Sequence, residues 1–268
     1  MHVLITGASS GIGEALAREY LKRNADITVV ARRKDRLDDL CAGARTATLV
    51  IAKDLARGPV DPASSVGSFA PFLGADPCAA VIAEAQAALG PIDVLINNAG
   101  MQIVDSLVNT SIADGERLLE LNLMVPLRLT KAVLPGMIAR GHGAIVDIAS
   151  MAGLMPTPQM SYYSASKGGL GAASEGLRGE LRPHGISVLT VYPGPVASDM
   201  ELAARQKFTS TATTRYVPTG NPAELARLIA NGVERKTDRI IYPKVYGLSR
   251  HLPNVSRWLT DRFTPPLK

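Results

Sequence analysis

Short apolar runs rich in β-branched residues recur along the chain, separated by stretches with a helical period. Val3–Thr6, Ile27–Ala31, Thr46–Ile51, Val94–Asn97, Ala144–Ala149 and Ser187–Val191 read as strands. Most are continuous rather than alternating, the pattern of parallel strands covered on both faces. Ile12–Arg23, Leu37–Leu40, Ala79–Leu89, Ala113–Arg140 and Tyr162–Arg182 read as helices. Asn221 as cap and Pro222 as a first-turn proline open another helix, which runs to about Glu234, and Ile240–Tyr242 reads as a seventh strand. Strand–helix alternation predicts an α/β protein: a doubly wound, seven-stranded parallel sheet with helices on both faces, one domain over residues 1–268. Right-handed crossovers then gather the strand C-termini along one edge, where ligands bind.

Two regions depart from the pattern. Residues 56–77 carry Pro59, Pro62, Pro71, Pro77, Gly58, Gly67 and Gly74, too much punctuation for a helix, and read as an irregular insertion. Residues 199–220 have mixed polarity and read as a mobile lid. The tail from Gly247 sets Leu252, Val255, Trp258, Leu259 and Phe263 beside Arg250, Arg257 and Arg262, which fits a packed C-terminal helix or one that touches a membrane surface or a second subunit.

Composition narrows the function. Of 268 residues, 46% are hydrophobic and 20% charged, as in ordinary soluble domains. No apolar run approaches the ~20 residues of a membrane span, and the first strand starts at once, without a leader, so a cytoplasmic protein is expected. Cys41 and Cys78 make no disulfide framework, and with four scattered histidines they offer no metal-ligand spacing; no metal is expected. The net charge of +5 is uneven, with eight Lys/Arg against two Asp from Arg235 onward. With 4% aromatics and no recognition motif, nucleic-acid binding is set aside.

The first strand leads into Thr6-Gly7-Ala8-Ser9-Ser10-Gly11-Ile12-Gly13 and a helix. Gly7 permits the tight turn, and Gly11 and Gly13 allow close backbone approach, while the free N–H groups and positive helix end attract pyrophosphate. Arg32 and Arg33 follow the second strand, where an acid would bind the ribose 2′-hydroxyl of NAD. Two guanidiniums there suit the 2′-phosphate of NADP, so NADP(H) is the preferred cofactor and NAD(H) the alternative. Tyr163 and Lys167 are four apart and share a helix face. A lysine ammonium favours the phenolate, and moving a phenol from about 10 to about 7 takes about 4 kcal/mol.

With these residues in order, the sequence resembles the short-chain dehydrogenase/reductase family in its ordinary, non-extended form, a Rossmann fold. Thr6–Gly13 matches TGxxxGxG, Asn97-Asn98-Ala99-Gly100 matches NNAG, and Pro193-Gly194 matches the turn after the sixth strand. Asn122, Ser150, Tyr163 and Lys167 match the catalytic tetrad. The resemblance implies hydride transfer between a nicotinamide cofactor and an alcohol or carbonyl. Tyr163 would exchange a proton with the substrate oxygen, Ser150 would position that oxygen, and Lys167 would lower the Tyr163 pKa and hold the ribose. Asn122 would kink its helix and support a proton-relaying water. Gly7, Ser9, Ser10, Gly11, Ile12 and Gly13 would cradle the pyrophosphate. Asp54 and Leu55 would contact the adenine, and Asn98, Ala99 and Gly100 the adenosine side. Pro193, Gly194 and Val196 would cover the nicotinamide, within reach of the Ser198 hydroxyl. The resemblance also implies a homodimer or homotetramer. A regulatory protein that binds NADP without turnover and an NAD-preferring dehydrogenase are the alternatives.

Asp147-Ile148-Ala149-Ser150 departs from the commoner Asn-Ile-Ser-Ser but keeps the serine. Tyr162 is a cleft wall or a packing residue, since the spacing to Lys167 selects Tyr163. Residues 151–160, with Met151, Met155 and Met160, together with Met101, Ile103, Met200, Leu202 and Ala203, would form an adaptable apolar pocket for a lipophilic substrate.

Overall fold

In a computed structural model, the structure describes residues 1–56, 76–209, 218–247 and 252–267. All seven expected strands are present, each within a few residues of its expected limits: β1 His2–Thr6, β2 Asp26–Ala31, β3 Thr48–Ala52, β4 Val94–Asn97, β5 Gly143–Ile148, β6 Ile186–Pro193 and β7 Arg239–Tyr242. They form one sheet of order β3-β2-β1-β4-β5-β6-β7, parallel throughout. The strand order reverses between β1 and β4, which opens a crevice at their C-terminal ends.

The helices are α1 Gly11–Lys22, α2 Lys34–Cys41, α3 Pro77–Leu89, α4 Ile112–Leu119, α5 Val125–Arg140, α6 Met151–Leu154, α7 Ser161–Leu181, α8 Asp199–Lys207, α9 Pro222–Glu234 and α10 Pro253–Phe263. One face of the sheet packs Leu16, Ala17 and Tyr20 of α1, Leu37 and Leu40 of α2, and Leu225 and Ile229 of α9 against Ile5, Ile27 and Val29. The other packs Val81 and Ile82 of α3, Val125, Leu129 and Val133 of α5, and Leu181 of α7 against Leu4, Leu95 and Ile145. Central strands wanted on both faces explain why they are apolar without alternation.

One expectation changes, and two fall partly outside the described residues. The helix expected over Ala113–Arg140 is interrupted by a π-helical stretch at Glu120–Met124 centred on Asn122. Its widened turn lets the Asn122 amide leave the helix line and bond another loop, a local distortion typical of functional positions. Most of the expected insertion, residues 57–75, lies outside the described residues; Asp76 already caps α3 by accepting from the Cys78 N–H, and Pro77 is its first residue. The expected lid begins as a regular helix, α8, capped by Ser198, while residues 210–217 lie outside the described residues. Asn221 caps α9 as expected, accepting from the N–H groups of Ala223 and Glu224.

On α10, Val255 and Trp258 are exposed, and Trp258 meets Phe263 edge-on, their ring centres 6.2 Å apart. Among the described residues no helix is long and apolar enough to cross a membrane.

Candidate active site

The crevice opens into a cavity of about 1060 Å³. Its inner wall starts at the glycine loop. Thr6 anchors it: its hydroxyl accepts from the N–H groups of Asn98 and Ala99, both at 3.0 Å, and donates to Ile96 O. The Asn98 amide donates to Thr6 O at 2.9 Å and Gly7 O at 3.3 Å, so this side chain braces the loop while its backbone lines the cavity. A Cβ on Gly13 would stand 2.3 Å from Gly7 O, and Gly7 has φ +68° with Ala99 against it. Gly13 therefore packs beneath the loop and does not reach the cavity, unlike Gly7, Ser9, Ser10, Gly11 and Ile12.

The residues fit a dinucleotide. The Ser10 side chain makes no cap to the first turn of α1, so those N–H groups remain available to an anion. The Arg33 guanidinium lies over the loop, donating to Ser9 Oγ at 3.0 Å and Ser10 Oγ at 2.9 Å, with Arg32 exposed beside it on the cavity wall. Asp54 and Leu55 form the rim, and the Asp54 carboxylate accepts from Arg117 at 2.6 Å.

The far end gathers Ser150, Tyr163 and Lys167 on the same cavity. Ser150 ends the segment after β5 and caps α6, accepting from the Ala152 N–H at 3.1 Å. Burial pushes the Tyr163 phenol above its usual value, the neighbouring Ser150 hydroxyl draws it down, and the Glu201 charge pushes it up further. Lys167 is buried, and desolvation holds its ammonium down to about 8 against the opposing pull of Asp147. Its Nζ donates to Ile148 O at 2.7 Å and faces Gly100.

Asn122 is fully buried and off the cavity. Its amide pairs with the Met101 backbone in both directions, each bond 2.8 Å, and donates to Ser166 Oγ at 3.1 Å. It thus locks the loop after β4 onto α7, the helix that holds Tyr163. Tyr162 turns the other way and packs on Gly115 of α4, where a Cβ would meet its ring at 2.2 Å; it is a packing residue.

Pro193, Gly194, Val196 and Ser198 line the cavity, and the Ser198 hydroxyl is spent on Val196 O and on capping α8. Met101, Met151, Met155, Met160 and Met200 join the lining, whereas Ile103, Leu202 and Ala203 do not. Leu202 points outward because α8 turns Met200, Glu201, Ala204, Arg205 and Phe208 inward. That i, i+1, i+4, i+5, i+8 spacing is a helix face, a signal present in the sequence but masked by its mixed polarity. Tyr246, over Gly194, and Thr260, Phe263, Thr264 and Pro265 complete the wall. The tail is fastened there by Thr209 N–H donating to Pro266 O at 3.0 Å.

Comparison with known proteins accords with this geometry. The family model described as short chain dehydrogenase matches residues 1–59 and 74–208, leaving out most of the irregular segment. The chain is an oxidoreductase that belongs to the short-chain dehydrogenase/reductase family. It is 33% identical over 239 residues to the ketoacyl reductase HetN of Nostoc sp., covering 89% of this chain and 77% of that one. Among solved structures it is similar to a short-chain dehydrogenase from Sphingobium yanoikuyae in complex with NADPH, with a TM-score of 0.77, 33% identity, and coverage of 97% and 95% of the two chains. It is also similar to a bulky-bulky ketone specific alcohol dehydrogenase from Comamonas testosteroni, with a TM-score of 0.73, 29% identity, and coverage of 98% and 94%.

Proposed function

We propose that this protein is an NADP(H)-dependent oxidoreductase that interconverts an alcohol and a ketone or aldehyde on a lipophilic substrate. The observation that carries the reading is one continuous cavity joining the Arg33-covered glycine loop to Ser150 and Tyr163. A nicotinamide cofactor, when bound, supplies or accepts the hydride. Glycine-loop N–H groups would hold its pyrophosphate, Arg32 and Arg33 its 2′-phosphate, and Lys167, facing Gly100, its ribose. In reduction, the Ser150 hydroxyl hydrogen-bonds the carbonyl oxygen and the Tyr163 phenol gives that oxygen its proton; oxidation runs the same transfers backward. Methionines and Phe208, Phe263 and Tyr246 around this end exclude water and favour apolar substrate groups. The similarity to an NADPH complex and to an enzyme for bulky ketones supports cofactor and substrate class alike. By the same family likeness we infer a homodimer or homotetramer, and two cysteines, too few for a disulfide framework, fit a cytoplasmic location.

The test is titration of the pure protein with NADPH and NADH by calorimetry, followed by a panel of ketones of increasing bulk with the tighter cofactor. Tighter NADPH binding with turnover of lipophilic ketones is expected. Equal affinities remove the 2′-phosphate argument, and binding without turnover across the panel favours a regulatory protein.

A further inference from the structure

The segments that wall the substrate end of the cavity also carry apolar side chains on their outer faces. Thirteen large apolar side chains are exposed among the described residues. Seven of them stand on three segments: Met200 and Leu202 on α8, Val245 after β7, and Leu252, Val255, Trp258 and Phe263 at α10. Each segment lines the cavity as well, through Met200 and Ala204, through Tyr246, and through Thr260 and Phe263. Exposed apolar side chains scattered singly need no explanation, but their concentration on the walls of one cavity marks an interaction surface.

α10 carries most of it. Val255 and Trp258, three apart, share a helix face, and Leu252 precedes them at the same spacing. Leu252 is 47% exposed, Val255 51% and Trp258 60%, whereas the polar Thr260 is half-buried and lines the cavity. Apolar positions turned out and a polar one turned in are the reverse of a helix packed on its own core. Phe263 belongs to both sides: its ring lines the cavity, is half exposed, and meets Trp258 edge-on. The cavity wall and the outward apolar face are therefore two sides of one helix.

Charge indicates what this face meets. From Lys244 to Lys268 the sequence holds five Lys/Arg and a single acidic residue, Asp261. Lys244, Arg257 and Arg262 are exposed and make no ion pair among the described residues. Two copies of such a face brought together would set like charges against each other, which disfavours self-association. An anionic bilayer complements both features, with phosphates for the basic side chains and the acyl boundary for Leu252, Val255 and Trp258. Tryptophan and leucine beside Lys/Arg are the makeup of helices that lie in the plane of a membrane interface.

We propose that α10, together with Lys244 and Val245, docks reversibly on an anionic phospholipid surface, and that the cavity takes its lipophilic substrate from that bilayer. The docking face rests on the exposed side chains and their charges; its use rests on the lipophilic-substrate reading of the cavity.

The experiment mixes the full chain with vesicles of phosphatidylcholine alone or with phosphatidylglycerol added, and reads co-flotation and tryptophan emission. Trp258 is the single tryptophan, so its emission reports this face. Binding to the phosphatidylglycerol vesicles is expected, with a blue-shifted emission and a loss on raising the salt. Val255→Glu should lower the partition about tenfold and Arg257→Gln about fivefold. Both should leave turnover of a small water-soluble ketone unchanged, since neither side chain lines the cavity. No binding to the anionic vesicles, equal binding to both vesicle types, or undiminished binding by Val255→Glu overturns the proposal. A blue shift that grows with protein concentration in the absence of vesicles also overturns it and assigns the face to a second copy of the chain. Vesicle binding by a protein that turns over no carbonyl would keep the docking face and remove the hydride-transfer reading instead.

Discussion

The two ends of the cavity are built on different principles. The glycine-loop end is made of backbone: turns, helix N–H groups and side chains such as Thr6 and Asn98 that bond main-chain atoms. The substrate end is made of side chains from α8, the segment after β7 and the C-terminal tail, converging from positions distant in sequence. A backbone-made site tolerates almost no change in volume. A side-chain-made site can be remodelled without unmaking the sheet. This contrast teaches where specificity can evolve, and each of the following experiments presses on it.

The largest effect is expected at the backbone end. Gly13→Val places methyl groups where even a Cβ would stand 2.3 Å from Gly7 O. Overpacking of this kind costs ~1–3 kcal/mol or more, and the variant should lose dinucleotide binding in calorimetry, with a lowered melting temperature. A variant with normal affinity would break the contrast.

Next is Tyr163→Phe. Removal of a general acid costs ~10²–10⁴ in rate. Turnover should fall in that range while the cofactor Kd stays within about twofold, since a single phenol is removed from a site held mainly by backbone. Retained turnover would exclude Tyr163 as the proton donor.

Arg32→Ala with Arg33→Ala should weaken NADPH by ~1.5–3 kcal/mol per charge-assisted bond lost, with a much smaller effect on NADH. Equal losses for the two cofactors would show that Arg33 serves the loop through Ser9 and Ser10 rather than the phosphate.

At the substrate end, Phe263→Ala should raise KM for bulky apolar ketones several-fold and leave cofactor affinity unchanged, because an aromatic contact is worth ~0.5–1.5 kcal/mol. A shift in cofactor affinity would mean that the two ends are coupled.

The last effect concerns stability and pH. The Lys167 ammonium is held down to about 8 in the fold, below its ordinary 10.5. Below pH 8 it is charged in both folded and unfolded chains, and the cost of burying it is constant. Between about 8 and 10.5 the folded protein has released this proton and the unfolded chain retains it, so this group makes stability rise with pH. Subtracting melting curves of Lys167→Met from those of the parent across that window should isolate a positive slope; a flat or negative difference would contradict the burial of a cation at this point.

The same contrast explains what was legible in the sequence. β1, β4 and β6 announce themselves because strands buried on both faces must be apolar throughout, and the glycine loop because its conformation excludes other residues. The Asn122 distortion was legible only through its motif; the continuous pattern of residues 113–140 shows no break, since a π-helical turn changes the spacing by a single residue. α8 was not seen because one face carries Glu201 and Arg205 into the cavity while Leu202 faces outward, inverting the usual sorting of polar and apolar positions. The roles of Thr260, Phe263 and Pro265 were hidden for another reason: they depend on the tail being fastened at Thr209, a tertiary contact that leaves no periodic trace.

Trp258 is the sole tryptophan of the chain. Its indole is 60% exposed and stands edge-on to Phe263, whose ring lines the cavity. The protein thus carries an intrinsic optical probe one side chain removed from the cavity. A ligand that displaces Phe263 alters the surroundings of a single emitter, and a fluorimeter can time the arrival of substrate against that of cofactor without any label.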